Sequence, residues 1–295
     1  MLFVLALVFS FAQAALPAQQ TTAERTNYAE TSTHADVLGF VDSLQRLGAG
    51  IRVGRLGLSP MDQVLLYKLI CRQVAARFDM TASFLPKPVT GVNGSGMHTN
   101  LSVSQKGKNL FWDPKGADKL SKMGWKFIDR ILTSGQDICL LFNPSVNAYR
   151  RLDPHFEAPN QIKASAVDRG SMIRIPIGND KSARIEVRSI APDANPYIAI
   201  YTMFRTGFEG PIESSNGEKR RDRTKFLPDN IYDGIRLFKG SKFAADLLGE
   251  TVHKRYADLK LASADRCPKA LGALIKIPEI QFHHEVTNQY LWSKF

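Results

Sequence analysis

One short stretch of this chain, Asn93-Gly-Ser-Gly-Met-His-Thr-Asn100, combines residue types that could contact a ligand and bind a metal ion. Its glycines, Gly94 and Gly96, have no Cβ, so the backbone there can approach a bound molecule closely. His98 follows directly, and a neutral imidazole is a common metal ligand. The stretch therefore predicts a bare loop beside a ligand, followed by a metal-binding histidine.

Three alternating segments predict strands with one polar and one apolar face, because successive side chains of a strand point to opposite sides. The polar faces carry His98, Asn100 and Ser102 in the first segment, Arg184, Glu186 and Arg188 in the second, and Arg174 in the third. The apolar faces carry Met97, Leu101 and Val103, then Ile185 and Val187, and then Ile173, Ile175 and Ile177.

The polar faces suit a metal ion and an anionic ligand. His98 and Glu186 can supply two ligands to a divalent ion, and the rigid fork of arginine suits phosphate and carboxylate groups. The basic candidates are Arg169, Arg174, Lys181, Arg184 and Arg188. This set indicates nucleotide phosphates and a carboxylate substrate. Two structural alternatives stay open at this point: a histidine without a metal, and a solvated Arg-Glu-Arg face with weak ion pairs.

The surrounding pattern predicts an α+β fold, with an antiparallel sheet whose active-site face is flanked by helices. Turn residues at 106–109 and 178–182 predict two hairpins. Apolar spacing and capping residues predict helices at 36–47, from Ser59-Pro60 onward, at 117–139, 193–207 and 229–261, and at the C-terminus. Residues 82–89 are expected to form an extended edge segment.

The overall composition is that of a globular protein with a basic surface. The chain has 295 residues, 44% of them hydrophobic and 23% charged, and a formal net charge of +11. Such a charge suits an anionic partner. We expect no nucleic-acid partner, because the basic residues cluster in ligand motifs and one loop and no nucleic-acid module is visible. Three widely spaced cysteines argue against a disulfide framework or a structural zinc site.

The first fourteen residues, MLFVLALVFSFAQA, form an apolar run before a small-residue, cleavage-like sequence. The run lacks a positively charged start and is short for a membrane span, so we expect a cytoplasmic protein without a membrane partner. Secretion is the alternative, if residues 1–15 act as a signal peptide. We assign residues 1–34 to a leader or an extension outside the main domain.

Four ordered motifs resemble the catalytic domain of type I glutamine synthetase. They are LPKPVTGVNGSGMHTNLS, NPSVNAYRRLDPHFEAP, DRGSMIRIPIG and RIEVRSIAPDANPY. The resemblance is strongest over residues 60–210 and extends over 35–295 as a partial catalytic domain. It implies ATP-dependent phosphorylation of the γ-carboxylate of glutamate, followed by displacement of phosphate by ammonia, with Mg²⁺ or Mn²⁺ as cofactor.

The resemblance also implies roles for individual residues. His98 and Glu186 would bind the metal ion nearest the phosphates. Glutamate would contact Asn93, Gly94, Arg151, Glu157 and Arg188. ATP would contact Asn100, Ser102, Arg169, Arg174, Lys181 and Arg184. Glu157 and Arg169 would take the catalytic roles, with Glu157 guarding the intermediate and helping to accept the ammonium proton. A homo-oligomer is expected if the chain is complete.

The chain also departs from the family pattern. We expect the N-terminal β-grasp domain of the family to be absent from this chain. Arginines and glycines in SLQRLGAGI and RVGRLGLSP, residues 43–60, stand where the family has an acidic segment that supplies metal-binding glutamates. One metal site is therefore expected to be missing, and activity could be impaired. The FHHEVTNQYLW sequence near the C-terminus is read as part of a closing helix. Two alternatives stay open: a non-catalytic nucleotide-binding relative or fragment, and a ligase that joins another amine to glutamate.

Overall fold

The computed structural model describes residues 20, 25–26, 34–46, 59–89, 91–153, 158–212 and 225–270. The chain divides into two compact units, residues 1–58 and 59–295. The described part of the first unit is mainly helix α1, His34–Arg46. The predicted leader, residues 1–34, lies largely outside the described residues. Within the described ranges, no helix is both long and apolar enough to cross a bilayer.

The helices of the described part of the second unit are α2 Pro60–Arg77, α3 Lys122–Thr133, α4 Cys139–Phe142, α5 Val146–Arg151, α6 Pro196–Glu209, α7 Ile231–Gly240, α8 Lys242–Leu248 and α9 Glu250–Ala270. Several of them begin where the sequence supplies caps. Before α2, Ser59 Oγ accepts the Asp62 N–H while the Asp62 carboxylate accepts the Ser59 N–H, which forms a capping box. Before α6, the Asn195 side chain accepts the N–H groups of Tyr197 and Ile198. The predicted start at Ser59-Pro60 is confirmed, and the helix predicted at 193–207 begins at Pro196.

Two predicted helical regions are divided more finely than the periodicity indicates. Residues 117–139 contain a 3₁₀ turn at Ala117–Lys119, then α3 and the first residue of α4. Residues 229–261 fall in three helices, α7 to α9. Gly249, between α8 and α9, has a φ of 77°, a left-handed conformation that ends a helix at little steric cost. The predicted C-terminal helix lies outside the described residues beyond residue 270.

A four-stranded sheet carries the candidate site. The strands of the described chain are β1 Thr99–Leu101, β2 Ser104–Gln105, β3 Lys108–Asn109, β4 Gln161–Ser165, β5 Ser171–Arg174 and β6 Ile185–Val187. In the four-stranded sheet they lie in the order β1, β6, β5 and β4. β1 pairs antiparallel with β6, and β6 pairs antiparallel with β5, and the second of these pairings confirms the second predicted hairpin. The first hairpin is a separate two-stranded ribbon of β2 and β3.

The α+β class is confirmed, but the expectation of a wholly antiparallel sheet is wrong at one pair, since β4 and β5 are parallel. The loop at 166–170 causes this difference. Ser165 Oγ accepts the Asp168 N–H, and Asp168 Oδ1 accepts the Gly170 N–H. The loop thereby returns Gly170 to the start of β4, where its carbonyl accepts the Gln161 N–H at 3.0 Å. The chain therefore enters β5 beside the first residue of β4.

Ile177 was predicted to share the buried face of Ile173 and Ile175, and this prediction is wrong. Ile173 and Ile175 are buried, whereas Ile177 is 89% exposed. β5 ends at Arg174, and Pro176 has no N–H with which to continue a ladder. The alternation of faces therefore stops before Ile177.

The apolar face of the sheet contributes to a single buried cluster formed with the helices. Leu101, Ile173, Ile185 and Val187 extend from the sheet into this cluster. Its largest fully buried side chains from the helices and loops include Phe111, Phe127, Phe142, Phe238, Ile128, Ile131, Ile138, Leu140 and Leu141. Because one face of β6 packs into the cluster, its polar residue Glu186 is held on the opposite face.

Candidate active site

The site is built on a row of residues that crosses three strands. Asn100 on β1 lies opposite Glu186 on β6, and Glu186 lies opposite Arg174 on β5. Directly paired residues of antiparallel strands project to the same face of a sheet. The structure therefore joins the three predicted polar faces into one surface, and His98 lies just before β1 at its edge.

The Glu186 carboxylate is the centre of this surface. One of its oxygens, Oε1, lies 3.0 Å from His98 Nδ1 and 3.7 Å from Arg188 Nε. The other, Oε2, lies 3.4 Å from Arg174 Nη1. The Glu186 side chain is only 10% exposed, against 36% for His98. A nearly buried carboxylate thus faces one imidazole and two guanidinium groups.

The surroundings of His98 favour its neutral form. Burial lowers the pKa of its imidazole, the positive charges of Arg151 and Arg188 lower it further, and Glu186 raises it in part. A neutral imidazole keeps a lone pair for a metal ion. His98 and Glu186 could therefore serve as two adjacent ligands. Among the described residues, no group of three or more His, Cys, Asp or Glu side chains could hold a metal ion.

Arg151 lies beneath this surface rather than on it. Its residue is 6% exposed, and its guanidinium donates to the carbonyl oxygens of Arg188 at 2.8 Å and Ser189 at 3.3 Å. Burial and the neighbouring Arg188 charge lower its pKa to about 10. Arg188 in turn donates to the carbonyl of Arg169. The three arginines predicted around the substrate are thus linked in series through backbone carbonyls.

The other predicted ATP contacts lie along the same side of the sheet and at its ends. Arg184 donates to Asn100 Oδ1 at 3.0 Å, which joins two predicted nucleotide contacts across β1 and β6. Ser102, Arg169 and Lys181 are exposed, and Lys181 lies in the turn between β5 and β6.

The predicted glutamate contacts are less uniformly placed. Asn93 and Gly94 are exposed in the loop before β1, whereas Arg151 is buried. Glu157 lies outside the described residues. The assignments of individual residues to metal, ATP and glutamate stay predictions.

The glycines of the loop have close neighbours within the protein itself. A Cβ added to Gly94 would lie 2.6 Å from the Pro86 carbonyl oxygen and 3.0 Å from Arg151 Cγ. A Cβ added to Gly96 would lie 2.4 Å from Arg151 Nη2 and 2.8 Å from two atoms of the His98 ring. Such approaches are too short for any other residue type without movement. The absence of side chains at Gly94 and Gly96 therefore lets Arg151 and His98 pack against the main chain of the loop.

Two residues beside the site were not found from the sequence. Lys87 and Asn147 are each 3% exposed and bonded to one another through the Lys87 backbone. Neither belongs to an alternating strand or a metal-binding pattern. Both lie within the motifs LPKPVTGVNGSGMHTNLS and NPSVNAYRRLDPHFEAP, but the prolines beside Lys87 indicate an extended chain rather than a buried amine.

Comparison with known proteins supports the family that the sequence motifs suggest. Residues 55–273 match the family model described as glutamine synthetase, catalytic domain. A glutamine synthetase of Methanosarcina mazei is 39% identical over 213 residues, which cover 68% of this chain and 48% of that protein. One of Clostridium saccharobutylicum is 33% identical over 222 residues, which cover 70% of this chain and 50% of that protein.

A solved structure described as "Apo GmaS without ligand" is similar at 27% identity, with a TM-score of 0.58. The match covers 69% of this chain and 49% of that chain. This chain therefore spans about half the length of the curated relatives and of the solved structure that it matches. With a family model matched over most of its length and a face that joins the predicted metal and arginine residues, the chain belongs to the glutamine synthetase family.

Proposed function

We propose that this chain binds ATP, a divalent metal ion and glutamate, and that it joins ammonia to the γ-carboxylate of glutamate. The observation that carries the proposal is the contact of His98 with Glu186, at 3.0 Å, on the face that also bears Arg174, Arg184 and Arg188. A metal-ligating pair beside several guanidinium groups suits a substrate with a triphosphate.

His98 and Glu186 would hold Mg²⁺ or Mn²⁺ on this face. Two protein ligands are a small number for a metal site, but Mg²⁺ at nucleotide sites usually keeps water molecules and phosphate oxygens as its other ligands. The residues present therefore fit a nucleotide-bound ion. When bound, the ion supplies neutralisation of the negative charge on the transferred phosphoryl group.

The protein groups around this pair would then orient the two substrates. Arg174 and Arg184 lie on the sheet and would contact the phosphates of ATP. Arg169, Lys181, Asn100 and Ser102 would add contacts to the nucleotide. Glutamate would lie against the loop of Asn93 and Gly94, with Arg188 as its carboxylate contact. Arg151 would support this site from beneath the polar surface, since its guanidinium is already bonded to the main-chain carbonyls of Arg188 and Ser189.

The proposed reaction has two steps. A γ-carboxylate oxygen of glutamate attacks the γ-phosphorus of ATP, and ADP leaves with the electrons of the broken P–O bond. Ammonia then attacks the acyl carbon of γ-glutamyl phosphate, inorganic phosphate leaves, and the added nitrogen loses a proton. Glu157 is proposed as the group that shields the intermediate and accepts this proton. Arg169 is proposed to stabilise the phosphoryl group during transfer.

A second candidate function is nucleotide binding without catalysis. It is favoured by the small number of metal-binding side chains among the described residues, where only His98 and Glu186 are in contact at the site. Such a protein would bind ATP in a metal-dependent way and release no phosphate. A third candidate is a ligase that uses another amine, for which the metal and ATP groups would be unchanged.

The test is formation of glutamine by the purified chain with ATP, Mg²⁺, glutamate and ammonia. Parallel reactions contain methylamine instead of ammonia, and parallel proteins carry His98→Ala, Glu186→Ala or, as an exposed control, Lys126→Ala. We expect product from the unsubstituted and control chains and none from the site variants. Metal-dependent ATP binding without product would support the non-catalytic relative. A γ-glutamyl amide formed only from methylamine would support a ligase that uses another amine in place of ammonia.

A further inference from the structure

Lys87 is a buried lysine in contact with the loop that carries the proposed glutamate contacts Asn93 and Gly94. It is 3% exposed, and its ammonium donates to the carbonyl oxygen of Val92, within the glycine-rich loop. Its stem runs under the loop, where a Cβ on Gly94 would lie 3.4 Å from Lys87 Cδ. Burial lowers the pKa of the amine, and Asp153 raises it in part. The Lys87 ammonium therefore contacts the main chain of the loop.

Asn147 fixes the main chain of the same residue. Its Oδ1 accepts the Lys87 N–H at 2.6 Å, and its Nδ2 donates to the Lys87 carbonyl at 2.8 Å. Asn147 is 3% exposed, so water does not compete for these bonds. One buried amide thus satisfies both backbone groups of one residue and sets its distance from α5.

Helix α5 is itself held at both ends. At its start, Ser145 Oγ accepts the Ala148 N–H at 3.1 Å and donates to Asp193 Oδ2 at 2.5 Å. At its end, Arg151 follows Asn147 by one helical turn and donates to the carbonyls beyond β6. Residues four apart lie on the same side of a helix. Asn147, which contacts Lys87 before the loop, and Arg151, which contacts the residues after β6, therefore project from the same side of α5.

The end of the loop is fastened next to the metal-binding pair. The Ser95 N–H donates to the Pro86 carbonyl at 2.7 Å, and the Met97 N–H donates to the Ile190 carbonyl at 2.9 Å. His98 follows immediately and reaches Glu186. The position of the His98 imidazole therefore depends on the path of the chain between Lys87 and Met97.

We propose that Lys87 and Asn147 are positioning residues, which hold the glycine-rich loop against α5 so that His98 lies next to Glu186. This inference rests on the proposed function for its effect on metal binding, and on the hydrogen bonds alone for its effect on the loop. It assigns Lys87 a role inside the protein rather than a contact with ATP. It assigns Asn147 a role in placing two proposed ligand-binding segments relative to one another.

The test uses the full chain with Lys87→Met, which keeps the stem and removes the ammonium, and Asn147→Asp, which keeps the acceptor and removes the donor. Lys126→Met, on the exposed side of α3, is the matched control. Hydrogen exchange is measured at the amides of Ser95 and Met97 and, as a reference, in α6. Affinity for the Mn²⁺–ATP complex is measured by electron paramagnetic resonance, because phosphate oxygens are expected to complete the ligands of the ion.

We expect exchange at Ser95 and Met97 to become about tenfold faster in both site variants, with α6 unchanged, because the loop opens locally. Mn²⁺–ATP affinity should fall about 10- to 100-fold, as for other groups that orient metal ligands. Unchanged loop exchange, equal acceleration in α6, or faster loop exchange with unchanged Mn²⁺–ATP affinity would each overturn the proposal. If the unsubstituted chain binds no Mn²⁺–ATP, the proposed function loses its support, while the exchange rates still decide the role of the two residues in the loop.

Discussion

At the residue scale, the arginines of the site differ in the exposure and in the contacts of their guanidinium groups. Arg174 has a half-exposed side chain and lies 3.4 Å from Glu186, so one side of its charge faces solvent. Arg151 is buried and bonded to two carbonyls of the main chain. Removal of the half-exposed Arg174 leaves Glu186 in contact with His98 and Arg188, whereas removal of the buried Arg151 leaves main-chain acceptors without a partner. Similar residues are therefore expected to respond differently to substitution.

Substitution of these two arginines separates binding from stability. We expect Arg174→Gln to change the free energy of unfolding by less than about 0.5 kcal/mol, because the side chain is solvated. Its ATP affinity should fall about 10- to 150-fold, since a charged hydrogen bond contributes about 1.5–3 kcal/mol. Arg151→Met should lower the free energy of unfolding by about 1–3 kcal/mol, because the carbonyls of Arg188 and Ser189 lose their donor.

Urea denaturation and isothermal titration with ATP and Mg²⁺ measure the two effects on the same proteins. Equal losses of stability in both variants would contradict the assignment of Arg151 to the buried framework. An unchanged ATP affinity in Arg174→Gln would remove Arg174 from the nucleotide site.

At the scale of the elements, helix α6 packs closely on helix α3. The contact is made at Gly207, where a Cβ would lie 2.1 Å from Phe127 Cζ and 2.3 Å from two further ring atoms. Phe127 has little freedom to move, since its ring also packs on Phe111 at 5.4 Å and on Phe208 at 5.3 Å between centroids. The glycine therefore sets the distance between the two helices.

We expect Gly207→Ala to lower the free energy of unfolding by about 1–3 kcal/mol, the usual cost of an overpacked core. Alanine favours a helix over glycine by about 1 kcal/mol, so the steric cost must exceed this gain. Gly240→Ala, at the end of α7, is the control, because a Cβ there has no atom within 4 Å. That variant should be equally or more stable than the original chain. Thermal denaturation of both proteins checks the pair, and a stabilised Gly207→Ala would show that α3 and α6 are not closely packed.

At the scale of the whole molecule, the reactivity of the Cys71 and Cys139 thiols shows whether the chain is folded. Cys139 is buried in the central cluster, and burial raises the pKa of its thiol to about 12. Cys71, on α2, is partly exposed. Only the thiolate reacts with an alkylating agent, so both the buried position and the raised pKa protect Cys139.

Iodoacetamide at pH 8 should therefore modify Cys71 while the Cys139 peptide stays unmodified in the folded protein. Relative to the ordinary pKa of 9.0, the raised value corresponds to about a thousand-fold less thiolate. Higher pH increases labelling of Cys139 only as the pH approaches 12 or the chain unfolds. Mass spectrometry of peptides, with and without urea, measures this contrast. Rapid labelling of Cys139 without urea would indicate that the cluster around α4 is open.

The sequence by itself determined the faces of the strands and several helix starts. Alternation at 97–103 and 184–188 depends only on the two-residue period of a strand, and Ser59 and Asn195 cap through neighbours two or three residues away. Ordered motifs were sufficient to identify the glutamine synthetase family. These local features also predict that His98 and Glu186 bind a metal ion, and this role stays a prediction.

Tertiary structure alone decided which of these features meet. The pairing of Glu186 with Asn100 on β1 and with Arg174 on β5 depends on contacts between strands, as does the parallel pairing of β4 with β5. The burial of Arg151 and the contact of Asn147 with Lys87 join residues some 40 to 60 positions apart. Periodicity carries no information on such distances, because it describes a single element, whereas packing between elements selects the groups that are buried.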